Sequence, residues 1–204
     1  MREPSPFAVF DALCIVSKLS RTYQSASLPE VQAVSYLACL LSIYDGCPSS
    51  QWGYEFAVTD SMSMFSSTML EAVDRLSANG LIEGVEGRYS PTPSGATVLG
   101  RWMPMHRFRD RVQYLAGATG AADALPLPAL STGLLQEPQV AAATYLGVER
   151  PLLGEAGVIL LHRYFQTLEE SLGSGVDLLV PAVVWLTYLL EQDLESAGSR
   201  EPGE

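Results

Sequence analysis

The chain is short of cations. Arg and Lys total 12 against 23 Asp and Glu, a formal net charge of -11 at pH 7, and Lys18 is the one lysine in 204 residues. A generally basic nucleic-acid-binding surface is thereby excluded, because counterion release needs clustered Lys and Arg, and any phosphate contact has to be local. Cysteine and histidine are scarce as well. Cys14, Cys39 and Cys47 make no Cys-x-x-Cys pair and only His106 and His162 could join them, so structural zinc is not expected, and the odd cysteine count fits a reducing compartment. Long apolar runs are also missing. The most apolar stretch, 176–190, carries Asp177, is interrupted by Pro181 and is closed by Glu191, short of the roughly 20 residues that a bilayer-spanning helix needs. The first six residues lack the charged-then-apolar pattern of a signal peptide, which leads to the expectation of a cytoplasmic protein with no membrane partner.

The motifs of catalysis are thin too. Neither Gly-Lys-Ser nor Gly-Lys-Thr occurs, no dinucleotide fingerprint follows a strand, and neither histidine sits in a glycine elbow or beside a nucleophile motif. His162, within an apolar run, is expected to pack or cap. The carboxylates Glu169, Glu170, Glu191, Asp193 and Glu195 read as a solvated acidic face. No enzyme activity, catalytic residue, cofactor or metal is therefore expected.

What the chain does have is apolar content. At 48% hydrophobic residues and mean hydropathy +0.15, with 17% charge, it should fold and should leave apolar surface for a partner. Helical periodicity runs over residues 7–23 and again over 28–44, where Pro29 sits at an early position that needs no amide donor. A third helix starts at Ser66, whose hydroxyl can cap the first turn, and ends at Asn79 and Gly80. Residues 81–83 and 88–89 then read as two short strands around Gly84 to Gly87. Helix, glycine stop and glycine-centred hairpin together suggest a winged helix. Short helices over 96–103 and 105–116 follow, and the Ala/Gly/Pro-rich segment 117–128 suggests a boundary before helices near 129–135, 139–146, 155–172 and 176–194. The expected fold is mainly α: a winged-helix-like module with flanking helices over 1–116, a helical subdomain over 117–196, and a disordered tail over 197–204.

Three groups of residues are candidates for contact. On the helix after Ser66, Thr68, Glu71, Asp74 and Arg75 point outward, and two carboxylates facing phosphates would weaken DNA binding; Arg75 and, on the wing, Arg88 are the contacts a DNA reader would use. Arg101, His106, Arg107, Arg109 and Arg111 form the local positive cluster, with Asp110 inside it, and can meet phosphates or carboxylates in the fold or on a partner. Arg107 and Arg111 are one helical turn apart. The aromatic set Tyr164, Phe165, Trp185 and Tyr188 suits either a core or a partner interface.

The succession Gln51-Trp-Gly-Tyr-Glu-Phe56, Phe65-Ser66-Ser67, Leu76-Ser-Ala-Asn-Gly-Leu-Ile82 and Tyr89-Ser-Pro-Thr-Pro-Ser-Gly95 resembles small winged-helix proteins of bacterial defence operons, which carry Gly-Tyr-x-Phe, Phe-Ser, Gly-Leu-Ile and Thr-x-x-Gly in that order. The family it fits best is the middle component of three-component ABC-ATPase antiphage systems, which includes the small subunit of Lamassu-type complexes. Ser63 and Met64 stand where relatives often have Gly-Pro, and the resemblance covers residues 28–99. It implies a non-catalytic accessory subunit that joins an SMC-like or Rad50-like ATPase to an effector enzyme, with DNA contact possible within the complex. Two other readings are a winged-helix transcriptional regulator and a kleisin-associated subunit of a condensin-like complex; the single hairpin speaks mildly against the latter.

Overall fold

The computed structural model describes residues 5–59, 63–146, 150–173 and 175–198, the last six of them as backbone alone. The fold is mainly α with two small antiparallel sheets. Helix α1 (Pro6–Tyr23) leads through the two-residue strand β1 (Ala26–Ser27) into α2 (Leu28–Tyr44). Helix α2 starts with a reciprocal cap: the Ser27 hydroxyl accepts the Glu30 amide, and the Glu30 carboxylate accepts the Ser27 amide at 2.7 Å. Every residue from Val31 to Ile43 is buried. A helix that is apolar all round belongs at the centre of a bundle, and α1, α5 (Arg109–Ala124), α6 (Leu127–Leu135) and α8 (Glu155–Leu172) pack around this one.

The aperiodic stretch after α2 is a 3-10 turn (Ser49–Trp52) followed by β2 (Ala57–Val58) and β3 (Met64–Phe65). Ser66 then caps α3 (Ser67–Ala78), accepting the Met69 amide, as its sequence position suggests. The chain leaves α3 through Gly80 at φ +65° and enters the hairpin of β4 (Ile82–Val85) and β5 (Arg88–Pro91). Its turn residues Glu86 and Gly87 have φ +52° and +77°, the handedness that matches the twist of a tight hairpin. Strand β1 pairs with β5, so the first sheet has the order β1-β5-β4. The second has the order β3-β2-β6, with β6 (Arg150–Pro151) brought from the C-terminal half. Strands β1, β2, β3 and β6 were not expected; two residues each give no readable period.

Helix α4 (Pro93–Trp102) begins three residues earlier than the periodicity suggests, because Thr92 caps it, accepting the Gly95 amide at 3.0 Å. The helix expected over 105–116 is a 3-10 turn (His106–Phe108) running into α5, which extends to Ala124. The boundary placed at 116/117 thus falls inside a helix. The small residues that suggested a linker are its packing face: Ala118, Ala121 and Ala122 are buried, and a Cβ on Gly117 would come within 2.9 Å of the Leu178 Cβ. One apolar core runs from Phe10 in α1 to Leu189 in α9 (Leu179–Gly198), with no break between 116 and 117. Helix α7 (Pro138–Leu146) completes the set. The tail expected over 197–204 begins within α9 and beyond residue 198 lies outside the described residues.

Candidate functional site

The motif residues behind the family resemblance turn out to hold the fold together. The Gln32 carboxamide bonds both backbone groups of Ser66, accepting its amide at 2.9 Å and donating to its carbonyl at 3.1 Å, so the start of α3 is pinned to α2. The Thr92 hydroxyl reaches the carbonyls of Gly80 and Leu81 at 2.8 and 3.2 Å. Gly95 lies so close to the same Leu81 carbonyl that a Cβ there would be 1.9 Å from its oxygen. The Gly-Leu-Ile and Thr-x-x-Gly elements are therefore two sides of one contact. Trp52, Tyr54 and Phe56 are all buried, and the Tyr54 hydroxyl bridges Asp11 and Ser35, each at 2.6 Å.

The arginine cluster divides. Arg111 is 6% exposed and cannot meet phosphate or a partner, which corrects its place among the contact candidates. Its Nε donates to Asp11 at 2.9 Å, a second nitrogen pairs with the other carboxylate oxygen, and a third donates to the Trp52 carbonyl at 2.8 Å. Its guanidinium lies 3.8 Å from the centre of the Trp52 ring. Burial is the largest single influence on Arg111 and opposes its charge, but the hydrogen bonds to Asp11 and the Asp11 charge, with smaller contributions from Tyr54 and Cys39, together outweigh it and hold the guanidinium pKa above its usual value. Burial raises the Asp11 carboxyl, against the opposite pull of Arg111 and Tyr54.

Arg107 is exposed, its guanidinium 4.6 Å from the centre of the Phe108 ring. The one-turn spacing of Arg107 and Arg111 puts no shared face on the surface, because the 3-10 turn intervenes. Arg101 and Arg109 are exposed on α4 and α5. Arg88 is committed within the fold: it donates to Ser25 at 2.9 and 2.8 Å and pairs with Glu30 at 3.2 Å, tying the hairpin to the start of α2. Arg88 nevertheless stays exposed, next to Glu83, Val85 and Glu86, which are also exposed on the hairpin. Arg75, in the last turn of α3, borders a cavity of about 360 Å³ together with Arg107, Asn79, Trp102 and Phe108. Two of the candidate arginines, far apart in sequence, thus meet at one opening.

The aromatic set divides in the same way. Phe165 and Trp185, each 5% exposed, are core residues, and their rings pack edge-on at 5.5 Å. Tyr164 and Tyr188 stand outside them, 5.7 and 5.8 Å from the Trp185 ring. Helix α9 turns Ala182, Leu186 and Leu189 inward toward α5 and α6, and yet Val180, Val184 and Tyr188, four residues apart, are 38–41% exposed on its outer side. Leu160 and Tyr164 continue this apolar surface on α8.

His162 is exposed, at a cavity of about 450 Å³ with Glu155, Val158 and Ile159, and so it neither packs nor caps as its apolar neighbours suggest. Glu169 joins Asp45 and Asp177 around a cavity of about 490 Å³ at the end of α2. No group of three His, Cys, Asp or Glu that could hold a metal occurs among the described residues, and no helix there is long and apolar enough to cross a membrane. Burial pushes the Cys14 thiol up to about 12 and raises Cys39 as well, so neither is a thiolate near neutral pH. Comparison of the chain with protein-family models, with curated proteins and with solved structures finds no match.

Proposed function

We propose that the protein is a non-catalytic interaction subunit that docks through the outer face of α8 and α9, and that it joins an SMC-like or Rad50-like ATPase to an effector enzyme in a bacterial defence complex. The observation that carries the docking reading is the second apolar side of α9. A helix that only closes a core needs one such stripe, whereas α9 has Ala182, Leu186 and Leu189 inside and Val180, Val184 and Tyr188 outside. Exposed tyrosines around a buried tryptophan suit a contact, since aromatic residues are enriched where subunits meet.

The choice of partners rests on the resemblance over residues 28–99. The order α2, the short β2–β3 pair, α3 and the β4–β5 hairpin, with α1 leading in and β1 added beside β5, supports reading this part as a winged-helix-like module. Its charges favour protein over DNA: Glu71 and Asp74 lie exposed on α3, Glu83 and Glu86 on the hairpin, and Arg88 is tied to Glu30. The test is co-expression with the products of the neighbouring genes, followed by purification through this subunit. A stoichiometric complex with a large ATPase is expected, lost when Val184→Glu is introduced. A lone protein that instead shifts a duplex from its own promoter would sink the proposal and favour a regulator.

A further inference from the structure

We propose that the turn joining α4 to α5, residues 101–109, binds an acidic peptide segment that carries apolar side chains. A subunit that joins two proteins needs two surfaces, and this one shares no residue with the outer face of α8 and α9.

Of the 12 cations in the chain, Arg101, Arg107 and Arg109 fall within this segment. All three are exposed, and none makes a hydrogen bond or ion pair with a described residue. Other arginines do find carboxylates: Arg88 pairs with Glu30 and Arg111 with Asp11. For the three in the turn, the described fold supplies none. Asp110, next in sequence, is exposed and pairs with none of them. A net charge of -11 repels an acidic peptide from most of the remaining surface, so this turn is where one can settle.

The segment is held in shape before a partner arrives. The Met105 amide donates to the Trp102 carbonyl at 2.9 Å, and the Phe108 amide to the Met105 carbonyl at 3.0 Å. The Trp102 and Phe108 rings, 6.4 Å apart, bring the two ends of the turn together, and Phe108 stacks on Phe10 of α1 at 4.1 Å. The Arg107 guanidinium lies 4.6 Å from the centre of the Phe108 ring, which supports its face and leaves the N–H groups on its edge for a carboxylate. Less side-chain freedom is then lost on binding.

Two methionines set the other half of the partner. Met103 and Met105 are 37% and 40% exposed between the arginines, and neither belongs to the core. Thioether side chains adapt to an apolar surface, and Met and Arg are both enriched where proteins meet. A phosphate backbone gives the methionines nothing to cover them. The last turn of α3 borders the same opening as Arg107, and α3 exposes Glu71 and Asp74, so a duplex over this patch would approach carboxylates that a short peptide avoids.

The experiment uses the full chain alone and so stands or falls apart from the docking reading. A rhodamine-labelled peptide, Glu-Asp-Leu-Glu-Glu-Phe-Asp-Glu, is titrated and followed by fluorescence anisotropy, beside the same peptide with Ser for Leu and Phe, and beside a labelled DNA duplex. The first peptide is expected to bind, more weakly as salt rises. Arg101→Gln, Arg107→Gln and Arg109→Gln should each weaken it by about three- to tenfold, as should the double variant Met103→Ser/Met105→Ser; Arg163→Gln, exposed on α8, should leave it unchanged. No binding of the first peptide, or binding that the three arginine variants leave intact, overturns the proposal. Equal binding of the Ser peptide overturns it without recourse to any variant. A duplex that binds more tightly than the peptide, and is lost in the same arginine variants, overturns it in favour of nucleic acid.

Discussion

Burying a cation in a protein with 12 of them has a cost, which Arg111 offsets by meeting Asp11 on two edges, Trp52 on a third and an indole on its face. Removing one partner leaves the other charge in the core with nothing opposite it. Arg111→Met is therefore expected to cost about 3–5 kcal/mol in urea unfolding, and the double variant Asp11→Leu/Arg111→Met to recover most of that loss. Nothing near residue 111 announces this, because what separates Arg111 from Arg107 is a carboxylate 100 positions away. The positive cluster was legible as residues and illegible as roles. Glu137 is the other buried carboxylate among the described residues, with no described cation paired to it. It accepts the Gln139 and Val140 amides at the start of α7 and the Tyr36 hydroxyl at 3.0 Å. Burial raises its pKa above the usual 4.5 in spite of those bonds. The folded state therefore keeps a proton that the unfolded state releases, so the contribution of this group is full below about pH 4.5 and is lost as pH rises toward the folded pKa. Glu137→Gln should remove that loss: the stability of the variant relative to wild type is expected to grow between about pH 5 and about pH 7.5, measured by urea unfolding at both.

Among the elements, the long helices were readable from apolar spacing and from caps such as Ser66, and the hairpin from its glycines. Composition misled where one composition serves two purposes. Glycine and alanine over 117–122 are what a linker would use and equally what a helix uses to approach its neighbours closely. The two uses predict opposite effects of adding a methyl group. Gly117→Ala should destabilise by about 1–3 kcal/mol, because its Cβ would press on Leu178 at 2.9 Å and Leu41 at 3.0 Å. Gly100→Ala, on an exposed turn of α4 with nothing within 4 Å, should stabilise by up to about 1 kcal/mol. Thermal unfolding of the two variants side by side checks both signs. The strands of two residues were illegible for a different reason: their pairing is fixed by segments distant in sequence, as when β6 reaches β2 from 92 or more residues away.

For the whole molecule, the sequence shows an excess of apolar residues and the fold shows where it goes. Most of it fills one core around α2, and what is left is exposed in part on the outside of α8 and α9 and in part at separate places, Val85, Met103, Met105, Tyr145 and Leu146. The boundary between these two populations passes through the aromatic set, with Phe165 and Trp185 inside and Tyr164 and Tyr188 outside. Periodicity alone could not draw that line, because both sides of α9 are apolar and only the position of α5 and α6 decides which one is covered. Core residues and residues of the proposed docking face answer differently to truncation. Trp185→Ala opens a cavity and is expected to cost about 3–5 kcal/mol in urea unfolding, with assembly failing as a consequence of unfolding. Tyr188→Ser, at a position 41% exposed, should change stability by no more than about 0.5 kcal/mol in the isolated chain. In co-expression, however, it should cut the amount of partner retained by about tenfold, the loss of one aromatic anchor at a contact. Stability and retention measured on the same two variants separate the roles: a Tyr188→Ser protein that keeps both would place the partner elsewhere, and one that loses both would make Tyr188 part of the core.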